Sequence, residues 1–176
     1  ARFMLIAASN PCPCGFLGDK AHRCTCTDAQ VRKYQSRIGG PLMDRISMRL
    51  DVERLPSSSV LSSGQGTDSA TLKEGVIRAR QYASWRRAQT EEHGEGIGIK
   101  RLSPETIIAS CKLDSQAGAF VDKMAESDRI SGRGLINTLR VARTIADIEE
   151  SACVRDVHLA EAFSFRVDAG IGEEGS

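Results

Sequence analysis

The feature that most limits how this chain folds is a set of four cysteines within 15 residues. They follow the pattern Cys-x-Cys-x9-Cys-x-Cys and are Cys12, Cys14, Cys24 and Cys26. Two pairs of thiolates on neighbouring loops can hold a zinc ion tetrahedrally, and glycines between the pairs permit the tight turns required. The pattern therefore predicts a structural zinc site. A catalytic zinc is not expected, because four thiolates leave no open position on the metal.

Other interpretations of the cysteines stay open, since zinc-binding pairs are usually spaced C-x2-C rather than C-x-C. The alternatives are reduced, unbound thiols and redox or disulfide chemistry, and His22 is a possible substitute ligand. The first residues do not resemble a secretory signal, which favours a reducing cytoplasm and hence metal over disulfides. Cys111 and Cys153 have no neighbour at ligand spacing.

Composition and charge narrow the class of protein. The 176 residues are 40% apolar and 27% charged, values that exclude a fibrous or wholly disordered chain. No window is apolar enough to span a bilayer, so we expect no membrane partner. Residues 1–55 carry a net charge of +4 and residues 102–176 a net charge of −5. A basic front fits a surface that faces phosphates, although scatter over solvated faces explains the same numbers. Because residue 1 is not methionine, we expect a piece of a longer polypeptide.

Residues 1–56 are predicted to form an α/β fragment. The apolar run at residues 2–9 predicts a buried strand, and the alternation at residues 46–55 predicts a second one. Between them, Thr27 and Gln30 form a capping-box pattern for a helix over residues 27–38, which Gly39, Gly40 and Pro41 end. Residues 57–68 are rich in serine and glycine and predict a linker.

Residues 69–167 are predicted to form a helical bundle, followed by a flexible tail at residues 168–176. Leu72, Val76, Ala79 and Ala83, with Trp85 as a further candidate, form an apolar stripe on its first helix. Further helices are predicted at about 103–111, 114–127, 131–150 and 155–166. In the helix at 131–150 one set of side chains shares an apolar face and a polar set lies off it. The apolar set is Leu135, Leu139, Ala142, Ile145 and Ile148; the polar set is Arg133, Arg140, Arg143 and Asp147.

Two nucleotide-binding motifs give no site in this sequence. The phosphate-binding pattern G-x-x-x-x-G-K-[ST] does not occur. "GIGEEG" near residue 170 matches G-x-G-x-x-G formally, but no helix follows it, so it is a false positive. His93 and His158 are interpreted as ordinary surface or core-edge residues.

Several segments together carry a resemblance. "LIAASNPCPCG", "CTCT", "RIGGPLMDRI", "SGRGLINTLRVARTIADIE" and "HLAEAFSFR" resemble the C-terminal half of the ComM/YifB family, the magnesium-chelatase-like AAA+ ATPases of bacteria. The resemblance runs from residue 2 to about residue 166. It implies a fragment of the AAA+ nucleotide-binding core over 1–56 with a zinc knuckle, then a helical lid. The strand that carries the P-loop would precede residue 1 and lie between the two predicted strands. The chain departs from the family at Ser9, Gly39 and Ser47.

The resemblance also implies three site residues. Asn10 resembles sensor 1, which orients the attacking water, although it also suits a turn before Pro11. Arg45 resembles the arginine finger that reaches a neighbouring subunit's ATP, although it also suits an ion pair with Asp44 or Asp51. Arg133 resembles sensor 2, which contacts the γ-phosphate of its own subunit from a helix N-terminus, and otherwise is a solvated first-turn arginine.

The function implied is that of a hexameric, ATP-driven motor that promotes DNA branch migration during natural transformation. Its cofactors would be ATP, Mg²⁺ and a structural Zn²⁺, and its partners other copies of itself and branched or single-stranded DNA in the cytoplasm. Without a P-loop, the chain alone is expected to lack ATPase activity. The alternatives are an ATPase of porphyrin metal insertion, against which the cysteine cluster argues, and a non-enzymatic zinc-stabilised interaction module.

Overall fold

A computed structural model of the chain describes residues 3–52, 66–89, 103–126 and 130–166. In these ranges the regular secondary structure consists of helices. They are α1 (Asp28–Gln35), α2 (Gly40–Met43), α3 (Ser69–Gln89), α4 (Pro104–Cys111), α5 (Ser115–Glu126), α6 (Gly132–Ile148) and α7 (Asp156–Ser164). The prediction of a mostly helical chain is confirmed. Within the described ranges, no helix is both long and apolar enough to cross a membrane.

Helix α6 is the centre of the bundle, and α3, α4, α5 and α7 pack against it. Leu139 and Ala142 are fully enclosed and Ile145 is buried, as the apolar face predicts, whereas Leu135 is half-buried and Ile148 is exposed. The other helices contribute the remaining core residues, Ile107, Cys111, Ala117, Leu159 and Ala162. The four predicted helices of the lid agree with α4 to α7 within two residues at each end.

The helix boundaries follow from local capping groups. The Ser103 side chain accepts a hydrogen bond from the Thr106 N–H at the start of α4, and Ser131 does the same for Gly134 at the start of α6. Each bond satisfies one of the backbone donors that a helix N-terminus leaves unpaired. Lys112 is the C-cap that follows the last residue of α4, and its φ of 45° lies in the left-handed region that terminates many helices.

Two polar residues predicted to lie off the apolar face of α6 are buried instead. Arg143 and Asp147 are 5% and 6% exposed, and Arg86 of α3 joins them at 5%. The Nε of Arg86 lies 2.9 Å from Asp147 Oδ1, and Nη2 of Arg143 lies 3.0 Å from the same oxygen. The prediction was wrong because α3 covers this side of α6 and brings a cation to Asp147. Arg143 also donates to the carbonyl groups of Ser151 and Ala152.

The apolar stripe predicted on α3 is only partly buried. Ala83 is enclosed and Ala79 half-buried, whereas Leu72 and Val76 are 58% and 49% exposed. The C-terminal part of α3 therefore packs on the bundle while its N-terminal part faces outward.

The two predicted strands are absent from the described residues. Residues 3–9 and 46–52 have no strand structure, and Phe3, Met4 and Ile6 are 77%, 81% and 85% exposed. A strand needs a series of backbone hydrogen bonds to a second segment, and among the described residues neither run has one; the bond from the Arg49 N–H to the Phe165 carbonyl is a single contact. The α/β arrangement expected for the front is thus not seen. Pro41, expected only to break a helix, instead lies in the first turn of the short α2.

Some predictions fall outside the described residues. They are the ends of the two strands at 2 and 53–55, the linker at 57–68 except its last three residues, His93, and the tail at 168–176 with its glycine-rich sequence.

Candidate metal centre and the arginine positions

The four clustered cysteines converge on one point. Their sulfur atoms all lie within 4.8 Å of one another. The Sγ of Cys12 is 3.3 Å from that of Cys14 and 3.7 Å from that of Cys24, and the Cys14 and Cys24 sulfurs are 3.5 Å apart. Four sulfurs that surround a zinc ion at about 2.3 Å lie about 3.8 Å apart in a regular tetrahedron. The donor set and its spacing therefore fit zinc.

Tight turns bring the two cysteine pairs together. Gly15 and Gly18 have φ values of +83° and +80°, which side chains other than glycine rarely adopt. The Gly15 N–H donates to the Cys12 carbonyl at 3.0 Å, which closes the first turn. Helix α1 starts directly after the second pair, where Thr27 and Gln30 form the predicted capping box. The loops and the helix thus form one unit, which we call the cysteine knuckle, residues 10–37.

The hydrogen bonds of the cluster favour the thiolate form of Cys14 and the thiol form of Cys24 by shifting the two pKa values in opposite directions. Hydrogen bonds from the backbone N–H groups of Phe16 and Thr25 lower the pKa of Cys14 to about 5. A backbone hydrogen bond from Cys26 lowers the pKa of Cys24, but burial and hydrogen bonds with Cys14 and Cys12 outweigh it and raise that pKa to about 12. A divalent cation would stabilise all four residues as thiolates.

His22 is not part of this cluster. Its ring stacks on Phe16 with centroids 5.0 Å apart, and its Nδ1 lies 3.5 Å from a carboxylate oxygen of Asp19. The structure therefore favours the four cysteines over a set in which histidine replaces one of them. If zinc is bound, they would be its ligands, and its role would be to cross-link the two loops.

Asn10, the candidate for sensor 1, lies beside the cysteine knuckle. It is exposed, and its side-chain amide lies 3.9 Å from the point where a Cβ on Gly15 would stand. Asn10 follows a run without strand structure, so the strand that was expected to end at this residue is not seen, and its role as sensor 1 stays a prediction.

Arg45, the candidate arginine finger, is exposed one residue after the C-cap of α2. Its Nη1 donates to the carbonyl of Pro41 at 2.6 Å. Among the described residues it forms no ion pair with Asp44 or Asp51, the partners that a plain surface role suggested. The Asp44 carboxylate instead accepts a hydrogen bond from the Ser131 hydroxyl at 2.6 Å.

Arg133, the candidate for sensor 2, is exposed in the first turn of α6. Ser131, two residues before it, is both the N-cap of α6 and the donor to Asp44. The structure therefore brings the segments of Arg45 and Arg133 together through one hydrogen bond between their neighbours. Asn10 is not linked to this junction by any contact between described residues.

One residue at this junction was missed by sequence reasoning. Arg166, at the end of the chain segment after α7, donates from Nη1 to the Ile46 carbonyl at 3.2 Å and from Nη2 to the Asp44 carbonyl at 3.4 Å. The same Nη2 lies 3.5 Å from the Asp44 carboxylate, and the Arg166 side chain is 7% exposed. The available signal was its place in "HLAEAFSFR", which indicated the family but no role.

Comparison with known protein families matches both parts of the chain. The family described as "Magnesium chelatase, subunit ChlI C-terminal" matches residues 66–166, and the family described as "Magnesium chelatase, subunit ChlI" matches residues 1–60. Among curated proteins, the competence protein ComM of Haemophilus influenzae is 31% identical over 94% of this chain. The proteins named YifB of Escherichia coli and Salmonella typhimurium are 36% and 34% identical over the same share. The chain spans about a third of the length of these relatives, 31% in each case.

Proposed function

The chain belongs to the family of the magnesium chelatase subunit ChlI, with ComM and YifB among its relatives, and we propose that it is the C-terminal part of a hexameric AAA+ ATPase that drives DNA branch migration. In this proposal the chain supplies three groups to ATP sites formed between subunits. They are Asn10 as sensor 1, Arg45 as the arginine finger and Arg133 as sensor 2. ATP and Mg²⁺ would bind mainly to residues outside this chain.

The observation that carries the proposal is the exposure of both arginines at one junction. Asp44, the nearest carboxylate to Arg45 in sequence, is engaged by Ser131 and Arg166, so it does not neutralise the Arg45 guanidinium. Arg133 lies at a helix N-terminus, where backbone N–H groups and the helix dipole favour an anion. Neither guanidinium forms an ion pair with a carboxylate among the described residues, and exposed guanidinium groups suit phosphate oxygens, to which they can donate two parallel hydrogen bonds.

The proposal is tested in the full-length polypeptide by removing Arg45. We expect Arg45→Ala to bind ATP with nearly unchanged affinity and to lose roughly 10³-fold or more in turnover, because a finger stabilises charge only in the transition state. Steady-state ATPase assays and nucleotide-binding titrations measure the two quantities. Arg80→Ala, which removes an exposed arginine of α3, is the matched control and should keep normal turnover.

Mixing experiments assign the subunit on which each arginine acts. Arg45→Ala subunits mixed with subunits whose own ATP site is inactive but whose Arg45 is intact should recover part of the activity. Arg133→Ala should also be inactive, and a partner's intact Arg133 should not restore the same site. Normal hydrolysis by Arg45→Ala would contradict the finger assignment.

A second candidate function is ATP-driven metal insertion into a porphyrin, which the family description itself favours. The relative named as a competence protein supports the first proposal, and the cysteine cluster argues against porphyrin metal insertion. Stimulation of the full-length ATPase by branched DNA, with no response to porphyrin and Mg²⁺, would support the first proposal. The opposite pattern would support the second.

A further inference from the structure

We propose that Arg166 is a positioning residue that fastens the segment carrying Arg45 to the helical bundle, so that Arg45 and Arg133 move as one body. This inference rests on the proposed function for its consequence in catalysis. The contacts themselves are those of the described residues and do not depend on it.

Arg166 forms several bonds to the segment that carries Arg45. Its guanidinium donates to two backbone carbonyls of residues 44–46 and faces the Asp44 carboxylate. A few residues along, the Arg49 N–H donates to the Phe165 carbonyl at 2.9 Å. Residues 44–49 are therefore held by the chain that follows α7 through both a side chain and a backbone bond.

The Arg166 side chain passes close to Gly134 in the first turn of α6. A Cβ on Gly134 would stand 3.0 Å from Nη2 of Arg166 and 2.9 Å from a side-chain carbon of Ile130. Glycine at this position lets the guanidinium lie against the first turn of α6. The bonds from Arg166 to residues 44–46 thus pass directly beside the helix turn that carries Arg133.

Asp44 is contacted by both Ser131 and Arg166. It accepts from Ser131 at the N-terminus of α6 and lies next to Arg166 after α7. Burial lowers the pKa of Arg166, and the Asp44 carboxylate partly offsets that effect by favouring the charged form. Residues 44–46 are therefore held at the start of α6 and at the residue that follows α7, and a movement of this segment relative to the bundle would strain or break these bonds.

The consequence for the proposed ATPase is a link between neighbouring sites. If Arg133 contacts the ATP of its own subunit and Arg45 that of the next, a rigid junction passes the state of one site to the other. Allosteric coupling of this kind needs a physical element that both sites bias, and the 44–46 junction with Arg166 is such an element.

The first test measures the junction in this chain without nucleotide. The amide groups of Arg45, Ile46 and Arg49 all donate hydrogen bonds, so their hydrogen exchange reports on local opening. We expect Arg166→Gln to speed their exchange roughly tenfold, as the loss of hydrogen bonds from a charged group implies, while amides of the bundle core stay protected. Arg166→Lys, which keeps the charge but not the fork, should give an intermediate effect.

Arg140→Gln is the matched control. Arg140 is an exposed arginine of α6 whose guanidinium donates to the Asn137 side chain, one turn away, so its loss should leave exchange at residues 45–49 unchanged. Equal exchange rates in Arg166→Gln and the unmodified chain would overturn the inference. So would faster exchange throughout the bundle core, since Arg166 would then be a general stabilising residue.

The second test measures catalysis in the full-length polypeptide. Arg166→Gln should lower kcat and the cooperativity of ATP hydrolysis while the Kd for ATP stays within about twofold, because the residue touches no nucleotide. Unchanged cooperativity would contradict the coupling role. An unmodified protein that lacks ATPase activity would instead refute the proposed function and leave the exchange result intact.

Discussion

Residues 3–52 and residues 103–166 differ sharply in what they bury. In the first range Cys12 is the one apolar side chain that is fully enclosed, and α1 and α2 contain no buried residue. In the second range an apolar cluster on α4 to α7 surrounds Leu139, and buried ion pairs adjoin it. The first region therefore depends on its cysteines and on contacts with the bundle, whereas the bundle is stabilised mainly by its own core.

The largest expected effect comes from breaking the cysteine knuckle. Protein purified without chelator should contain one Zn²⁺ per chain, and Cys12→Ser or zinc removal should unfold the knuckle, because structural zinc sites supply on the order of 10 kcal/mol of binding free energy. The bundle should keep its structure. The only tryptophan, Trp85, lies on α3, so its fluorescence follows the bundle alone.

Cys153→Ser is the control for that experiment, since Cys153 lies outside the cluster. Substoichiometric zinc in protein with four free thiols at the knuckle would contradict the metal assignment. Loss of the Trp85 signal on zinc removal would show that the two regions are not independent.

The second-largest expected effect comes from breaking the buried ion pairs of the bundle. Asp147→Asn removes the negative charge that Arg86 and Arg143 share in the interior of the bundle and so breaks both buried ion pairs. We expect a loss of about 3–5 kcal/mol in unfolding free energy. Urea denaturation followed by Trp85 fluorescence measures it, and Asp122→Asn, at an exposed position of α5, is the control. A midpoint equal to that of the control would show that the buried ion pairs are dispensable.

The smallest expected effect comes from removing the N-cap of α1, which lies in the cysteine knuckle but leaves its cysteines unchanged. Thr27→Ala removes the side chain that accepts from the Gln30 N–H and should cost about 1 kcal/mol in the stability of α1. Amide exchange at Gln30 should rise while the bundle is unaffected. Ser36→Ala, at the other end of α1, leaves the N-cap intact, and its Gln30 exchange should match that of the unmodified chain. Unchanged Gln30 exchange in Thr27→Ala would mean that the metal, not the cap, holds the helix.

The sequence predicts those features that neighbouring residues determine. The cysteine cluster depends on spacings of two and ten residues, and the starts of α1, α4 and α6 depend on a capping side chain three positions before its donor. The apolar face of α6 follows from helical periodicity, so Leu139 and Ala142 could be placed in the core. All of these signals lie within about one turn or one loop.

The features that were missed depend on distant parts of the chain. Arg86 and Asp147 are 61 positions apart, and Arg166 bonds to a carbonyl 122 positions away. No periodicity reports such a pair, so Asp147 appeared to be a solvated residue. The predicted strands failed for the same reason, because alternation and apolar character at residues 3–9 say nothing about whether a second strand lies beside them.

The long separation of the contacts at residues 44–49 has a consequence for the order of folding. Asp44 and Ser131 are 87 positions apart, whereas the helices of the bundle follow one another in sequence. Contacts between distant segments are slow to find and carry a loop-closure cost before any bond forms. The bundle should therefore assemble first, and the 44–49 segment should dock afterwards on a surface that is already complete. In a polypeptide synthesised from its N-terminus, residues 44–49 would leave the ribosome early, yet they could dock only after α7 and Arg166 had been made.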